Sequence, residues 1–285
     1  MFNFSFSSNA FRYFSLTDAM RALSAMGYKG IEIMADIPHA YPPYLEGKDI
    51  LRIKADLSAH GMEAANINAF TLCALGDTYH PSWIEKRADK RDARINHTLN
   101  SIELAAKLGA GTVSTEPGGP LAGMGKEEGI LLFRAGLKEV EDLARDRNIK
   151  VLIEPEPGLL IETSGDFIDL FSTLPEDVFG LNFDIGHFFC VGEDIPALIR
   201  ELKPIIHHFH IEDMPATREH LHLLPGEGAI NFESVFEAIF DSGYSGYLTV
   251  EIYTYEDSPL EAARTALLRL TKIAEDVLGK KVLHG

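Results

Sequence analysis

The feature of this chain that most constrains its fold is a repeated alternation of short apolar runs with longer helical patterns. Runs rich in apolar and β-branched residues occupy positions 1–7, 30–35, 62–69, 111–117, 149–156, 178–185, 204–212 and 246–253. Each run is followed by a helical pattern, and the last pattern extends from Pro259 to about Leu278. Eight such units in 285 residues predict an α/β protein with a single (β/α)8 TIM barrel, one domain over residues 1–285, in preference to an open sheet.

The loops indicate that one face of this barrel is functional. Segments that follow the predicted strands are long and carry polar and aromatic residues, as in 68–83 and 212–228. Turns that lead from a helix into the next strand are short, as in 108–111 and 241–246. Because loops at the carboxyl ends of parallel barrel strands surround one opening, we expect the active site there.

Composition restricts the partners and the compartment that we expect. The formal net charge of −17 opposes binding to a polyphosphate backbone, so no nucleic-acid partner is expected. Cys73 and Cys190 are the only cysteines, too few for a disulfide framework. The first residues lack the basic flank and apolar core of a signal peptide, and no apolar run reaches membrane-spanning length. These patterns predict a cytoplasmic protein without a membrane partner, and leave open whether it forms a homo-oligomer.

Residues of metal-ligand type follow four of the apolar runs in the second half of the chain, namely Glu154, Asp184, His210 and Glu251. Such positions converge on one mouth of a barrel, so residues far apart in sequence can share one coordination sphere. Three carboxylates and one imidazole suit one divalent ion, with Mn²⁺, Mg²⁺ or Co²⁺ favoured and Zn²⁺ as the less favoured alternative. Since the segment EPE offers two carboxylates, Glu156 is an alternative to Glu154 as the ligand.

Other polar residues near these positions are candidates for substrate binding. His187 comes three residues after Asp184, where the chain leaves the strand, and is better placed beside the ion than on it. Arg218 would supply a cation near an otherwise anionic site, although a solvated loop arginine explains it equally well. His220 and His222 precede the segment LLPGEG, and one of them is a candidate to line the pocket.

Four sequence segments resemble one known family. The segments IEPEPG, FDIGH and HFHIED, with the long stretch PGEGAINFESVFEAIFDSGYSGYLTVEIY, are similar to the xylose isomerase-like barrel superfamily, in particular its sugar isomerase and ketose 3-epimerase branch. The resemblance implies Glu154, Asp184, His210 and Glu251 as metal ligands. It also implies that Glu154 and Glu251 are the catalytic acid/base pair and that His187 and Arg218 contact the substrate.

The chain departs from this family's pattern after two strands. Glu116 stands after the fourth strand, where relatives often have a histidine, and the segment NINAF supplies Asn66 and Asn68 after the third. We include Glu116, Asn68 and Glu156 in the predicted substrate-binding set. The departures also count against the endonuclease IV branch, which looks similar at FDIGH and HFHIED.

The resemblance implies a metal-dependent sugar isomerase or epimerase that acts on a ketose, or a related polyhydroxy-carbonyl compound, through an enediolate. Return of the proton to the same carbon is epimerisation, and return to the neighbouring carbon is isomerisation. A dehydratase of a keto-polyol would share the first step and then lose a hydroxyl group. An endonuclease IV-like metal hydrolase would instead be favoured by two or more bound ions and a basic groove. A barrel that binds a sugar or a partner protein without catalysis is a third class of function.

Overall fold

The computed structural model describes residues 2–284, and the side chains of residues 2–280. Within that range the strands form one closed barrel in which each strand is parallel to the next and the last pairs with the first. The strands are β1 Asn3–Ser7, β2 Gly30–Met34, β3 Glu63–Asn68, β4 Thr112–Thr115, β5 Lys150–Ile153, β6 Phe179–Asp184, β7 Ile206–Ile211 and β8 Tyr247–Val250. The predicted single (β/α)8 barrel is confirmed. Met1, which the sequence pattern places in the first strand, lies outside the described residues.

Helices cover the outside of the barrel and connect successive strands. They are α1 Leu16–Met26, α2 Gly47–His60, α3 Ala88–Leu108, α4 Lys126–Arg147, α5 Ser164–Phe171, α6 Ile185–Cys190, α7 Ile195–Leu202, α8 Phe232–Ser242 and α9 Pro259–His284. The closing helix extends beyond the predicted end at Leu278. Within the described range, no helix combines the length and the hydrophobicity needed to cross a bilayer.

Local capping chemistry determines where several of these helices begin and end. Helix α1 ends at Gly27, whose φ of 114° lies in the left-handed region that glycine adopts without strain. Helix α5 begins with a capping box in which Thr163 and Asp166 exchange hydrogen bonds.

The barrel interior beneath the carboxyl ends of the strands is polar. His208 of β7 is hydrogen-bonded to the Thr249 hydroxyl of β8 at 2.8 Å. Asn66 of β3 donates to the Ser114 hydroxyl of β4 at 2.8 Å and to Glu32 of β2 at 2.9 Å. All five side chains are buried, so these bonds replace the water that the polar groups lose on folding. This hydrogen-bonded network lies directly beneath the site and holds its lower side chains in place.

Candidate active site

The four predicted metal ligands meet at the carboxyl end of the barrel. Glu154 follows β5, Asp184 ends β6, His210 lies in β7 and Glu251 follows β8. His210 Nδ1 is 2.9 Å from Glu154 Oε1, 3.3 Å from Glu251 Oε2 and 3.7 Å from Asp184 Oδ2. All four side chains are buried, and one potential ligand atom from each lies within 4.8 Å of the others.

Each glutamate in this group is held through the oxygen that faces away from His210. Asn182 Nδ2 donates to Glu154 Oε2 at 2.7 Å, and Asn9 Nδ2 donates to Glu251 Oε1 at 3.0 Å. The other oxygen of each carboxylate is the one directed at His210 Nδ1. The amide donors therefore orient both glutamates toward one point.

Asp184 is also held through one carboxylate oxygen, but by a backbone donor. Its Oδ1 accepts a hydrogen bond from the His187 N–H at 2.7 Å, which also begins helix α6. Its Oδ2 is buried and has no hydrogen-bond partner among the described residues. A buried carboxylate oxygen without a donor is costly, so this atom is suited to a cation.

The charge of the group fits a divalent ion. Three buried carboxylates surround His210, and within the described part of the chain none of them pairs with a lysine or an arginine. Burial, with the nearby Glu251 and Asp184 carboxylates, raises the pKa of Glu154 to about 8. Burial would lower the pKa of His210, but the carboxylates of Glu154 and Glu251 raise it well above its usual value. A bound ion would supply the positive charge that these groups otherwise obtain by holding protons.

Glu32 orients the imidazole of this group and was missed by the sequence reasoning. Its Oε2 lies 2.8 Å from His210 Nε2, and its two oxygens accept hydrogen bonds from Asn66 at 2.9 Å and Asn68 at 3.1 Å. A carboxylate at this position accepts a hydrogen bond from the His210 Nε2–H group and leaves Nδ1 facing the other carboxylates. The available signal was an acid in the middle of GIEIM, an apolar strand.

A cavity lies above these residues. Met34, Phe70 and Leu72 supply an apolar wall, and Tyr79 and Tyr253 add two aromatic rings. No lysine or arginine is among the described residues that line it. The polar residues that line it are Asn9, Asn68, Thr78, Glu154, Glu156, His187, His220, His222 and Glu251.

Three of the predicted substrate-binding residues line the cavity. They are Asn68, Glu156 and His187. Glu156 is separate from the four-residue group, and its Oε1 accepts a hydrogen bond from the Tyr79 hydroxyl at 2.6 Å. Burial raises the pKa of Glu156 well above its usual value. Burial also lowers the pKa of His187 to about 3, so this imidazole is neutral.

The other two predicted substrate-binding residues do not line the cavity. Arg218 is exposed, and its guanidinium carbon lies 5.6 Å from the centre of the Phe189 ring. Glu116 is fully buried, with Oε1 3.4 Å from Arg94 Nε. Burial raises the pKa of Glu116 to about 7, although Arg94 opposes this shift. The structure therefore brings neither residue into the group that surrounds the cavity.

More histidines from the loop after β7 line the cavity than the sequence predicted. His220 and His222 both line it, whereas one was expected to. His208 is buried below the site and contacts Glu32 at 3.3 Å, on the same side of β7 as His210. Tyr79 and Tyr253 were missed because the sequence does not tell which aromatic residues of a loop face inward.

Proteins similar to this chain in sequence include an epimerase and a dehydratase. The fructoselysine 3-epimerase of Shigella flexneri is 27% identical over 257 residues, which cover 88% of this chain and 90% of that protein. The inosose dehydratase of Clostridium beijerinckii is 28% identical over 141 residues, which cover 44% of this chain and 47% of that protein.

Solved structures share the fold. The crystal structure of a D-tagatose 3-epimerase-like protein has a TM-score of 0.82 at 23% identity and covers 98% of this chain and 99% of its own. The structure of the IOLI protein with a bound zinc atom has a TM-score of 0.79 at 20% identity and covers 96% of this chain and 99% of its own.

The family assignment rests on a match over most of the chain. The sequence profile of the xylose isomerase-like TIM barrel family matches residues 20–273. This range contains the segments IEPEPG, FDIGH and HFHIED, on which the predicted resemblance was based. The resemblance is confirmed: the chain belongs to the xylose isomerase-like TIM barrel family.

Proposed function

We propose that this protein is a metal-dependent sugar epimerase that acts on an unphosphorylated ketose or a related polyhydroxy-carbonyl compound. The observation that carries the proposal is the set of three carboxylates, each held through one oxygen, that surround His210 Nδ1 at the base of a polar cavity. The fructoselysine 3-epimerase, similar over 88% of this chain, supports the same reaction class.

Glu154, Asp184, His210 and Glu251 would hold one divalent ion. When bound, this ion would polarise the carbonyl and the adjacent hydroxyl of the substrate and so acidify the neighbouring C–H bond. Three oxygen donors favour Mn²⁺, Mg²⁺ or Co²⁺. The zinc atom bound by the IOLI protein, which has the same fold, keeps Zn²⁺ as an alternative.

Glu154 and Glu251 would act as the acid/base pair. They follow β5 and β8, which are not neighbours in the barrel, and both direct one oxygen to the centre of the site. One glutamate would take the proton from the carbon next to the carbonyl, and the other would return a proton to the opposite face of the planar enediolate. Return to the same carbon inverts that carbon, which is epimerisation.

The charge of the cavity favours a substrate without a phosphate group. Glu154, Glu156 and Glu251 line it, and the lining residues that the structure describes include no lysine or arginine. A phosphate group would find no side-chain cation to bind among these residues. The neutral imidazole of His187 and the amide of Asn68 are suited to hydroxyl groups instead.

Dehydration is the second candidate reaction. The similarity to an inosose dehydratase over 44% of this chain favours it. Both reactions begin with abstraction of the proton next to the carbonyl, so the residues assigned above would serve either one. They differ in the second step, where a dehydratase loses a hydroxyl group as water.

The test is incubation of the metal-loaded protein with a panel of ketoses and their phosphate esters in deuterated water. We expect solvent deuterium at the carbon next to the carbonyl of an unphosphorylated ketose, together with formation of its epimer. Formation of a dehydrated product would favour the lyase reaction. Deuterium exchange with the phosphate esters alone would contradict the proposed substrate class.

A further inference from the structure

Glu156 is a buried carboxylate of the cavity to which the proposed reaction assigns no role. It lies three residues after the end of β5, and its side chain is only 5% exposed although it lines the cavity. It is not one of the four residues proposed to hold the ion. We therefore looked for its role in the part of the substrate that the ion does not hold.

Only one carboxylate oxygen of Glu156 has a partner. Its Oε1 accepts a hydrogen bond from the Tyr79 hydroxyl at 2.6 Å. Burial, and then the nearby Glu156 carboxylate, raises the pKa of Tyr79, so this hydroxyl keeps its proton and acts as the donor. The other oxygen, Oε2, is buried and has no hydrogen-bond partner among the described residues. A buried carboxylate oxygen without a donor is costly, so Oε2 is suited to a donor that arrives with the substrate.

The part of the chain that the structure describes places no cation against this carboxylate. Burial is the main cause that raises the pKa of Glu156, and the charged groups that add to this shift are all acids, namely Glu154, Asp184 and Glu116. His220 Nδ1 is 3.9 Å from Glu156 Oε1, but burial lowers the pKa of His220 and keeps its ring neutral. A positively charged partner for Glu156 would therefore have to belong to the substrate.

Two tyrosine side chains near Glu156 add groups that attract a cation. Tyr79 and Tyr253 both line the cavity. Burial is the main cause that raises the pKa of each hydroxyl, and the Glu156 carboxylate adds to both shifts, so both hydroxyls lie near it. The face of a phenol ring attracts a cation that lies within about 6 Å of its centre. A carboxylate with a free oxygen beside two such rings is the chemistry that recognises an amine.

We propose that Glu156 is a specificity-determining residue that binds an ammonium group, so that the substrates of this protein are ketoses that carry an amine. The inference rests on the proposed function, because it assumes that the ketose is held at the four-residue group. The ammonium N–H groups would donate to Glu156 Oε2, while the Tyr79 hydroxyl continues to donate to Oε1. A hydrogen bond in which both partners are charged is stronger than the bond that a neutral sugar hydroxyl would make there.

One small substrate can reach the ion and Glu156 together. Glu154 and Glu156 are separated only by Pro155, so their Cα atoms are at most about 7 Å apart. Both side chains line the same cavity. We therefore expect the amine on a carbon close to the carbonyl group, at C1 or C4 of a ketohexose.

The test is isothermal titration calorimetry of the full chain in the presence of Mn²⁺. The ligands are D-fructose, D-psicose, D-tagatose and D-sorbose, each compared with derivatives in which an amine replaces the hydroxyl group at C1 or C4. At least one amine should bind about 10- to 100-fold more tightly than its parent ketose, which is the usual effect of a hydrogen bond to a charged group. N-acetylation of that amine removes the charge and should abolish the gain. Equal affinity of all amines and their parents, or a gain that survives acetylation, would overturn the proposal.

Glu156→Gln should remove this preference, because it keeps the size of the side chain but removes its charge. The amine and its parent ketose should then bind with similar affinity. Glu219→Gln, which changes an exposed residue outside the cavity lining, should retain the wild-type preference. A full preference in a folded Glu156→Gln protein would overturn the assignment to this residue.

A crystal structure of the wild-type protein with the amine bound gives a second measurement that does not require a variant. Its nitrogen should lie within about 3.2 Å of Glu156 Oε2, and an amine bound elsewhere would overturn the proposal.

Deuterium exchange in the same ligands separates this inference from the proposed function. Exchange with equal kcat/KM for amines and neutral ketoses would overturn the ammonium site and leave the epimerase standing. Tighter binding of an amine that depends on Glu156, without exchange in any ligand, would support the ammonium site and contradict the epimerase.

Discussion

Glu251 combines two proposed roles in one side chain, because it would both bind the ion and move a proton. Glu251→Gln keeps an oxygen donor and the side-chain shape but removes the group that accepts the proton. We expect turnover to fall about a hundred- to ten-thousand-fold, since this is the usual loss when a general acid or base is removed. Deuterium exchange into the ketose measures this loss, and dialysis measures the metal content.

The control for this variant is Glu219→Gln, which changes an exposed residue outside the cavity lining. Its exchange rate should equal that of the wild-type protein. Near-normal exchange in Glu251→Gln at full metal occupancy would mean that Glu251 is not the base. The proton would then have to be taken by Glu154 or Glu156.

Glu32 should control how well His210 binds the ion. Glu32→Gln keeps the size of the side chain but replaces the charged acceptor of the His210 Nε2–H group. Such orienting partners typically contribute about a factor of 10 to 100 in metal affinity, and we expect a loss of that size. Titration of the metal-free protein with Mn²⁺ measures it. Glu63→Gln, on an exposed residue at the opposite end of the barrel, should bind as the wild-type protein does.

Only some residues of the site could be predicted from the sequence, and the physical reason differs from one residue to another. Glu154 and Glu251 were found because an acid directly after an apolar strand is unusual. Glu32 lies within its strand, where the sequence does not tell which side of the sheet a side chain faces. Arg218 was assigned on its charge and on the family resemblance, but whether a loop side chain turns inward depends on contacts such as its stacking on Phe189.

At the scale of elements, the loop after β3 depends on one buried arginine. Arg94 of helix α3 donates to the carbonyl oxygens of Pro81 at 2.9 Å and Ala69 at 2.8 Å, and it faces the Glu116 carboxylate. This loop supplies Phe70, Leu72 and Tyr79 to the cavity. The sequence predicted the helix and the loop, but not that a helical arginine would hold the loop, because that contact joins distant segments.

Arg94→Met should destabilise the fold, because it removes the donors from two buried carbonyl groups and the partner of a buried carboxylate. Breaking a buried ion pair on one side typically costs about 3–5 kcal/mol, and we expect the free energy of unfolding in urea to fall by that order above pH 7, where Glu116 is ionised. Arg134→Met, on the exposed face of α4, should change it by less than about 0.5 kcal/mol. An equal effect of the two substitutions would mean that the Arg94 contacts do not hold the loop.

Glu116 should make the stability of this same region depend on pH. Its pKa rises from 4.5 to about 7 in the folded chain, mainly because it is buried. The folded state therefore favours the protonated form, so this contribution to stability is fully present below pH 4.5 and is lost as the pH rises through about 7. Urea unfolding across that range should show a smaller decrease for Glu116→Gln than for the wild-type protein. If Glu116→Gln and the wild-type protein lost stability equally over this pH range, Glu116 would not be the group responsible.

Helix α6 shows why short elements are harder to predict than long ones. The chain turns from strand β6 into α6 at Asp184, and the six residues of α6 are largely apolar. A helix this short and buried has no polar face. Its apolar residues therefore cannot be distinguished in the sequence from those of the preceding strand. This turn matters for the site, because it brings the His187 N–H into a hydrogen bond with Asp184 and the His187 ring to the wall of the cavity.

For the whole molecule, the barrel follows from the sequence because its eight repeated units leave few other arrangements for parallel strands in one chain. The closure between β1 and β8 joins residues far apart in sequence, as in the pair Phe4 and Leu248. The proposed ligands come from β5, β6, β7 and β8, so a bound ion would connect four consecutive strands next to that closure. Metal binding and barrel stability should therefore be coupled.

This coupling predicts that removal of the ion lowers the stability of the barrel. An ion that binds only the folded state stabilises it by about 2.7 kcal/mol at a free concentration one hundred times its Kd. We expect the Tm to rise with added Mn²⁺ and to fall with a chelator, because without an ion three buried carboxylates must lose charge or repel each other. His210→Ala should abolish this dependence on Mn²⁺, since it removes the only nitrogen donor. His207→Ala, on the same strand but outside the metal-ligand groups, should retain it. If the Tm of the wild-type protein did not respond to Mn²⁺, Zn²⁺, Co²⁺ or Mg²⁺, the four residues would not form a metal site, and their carboxylates would have to be neutralised by bound protons.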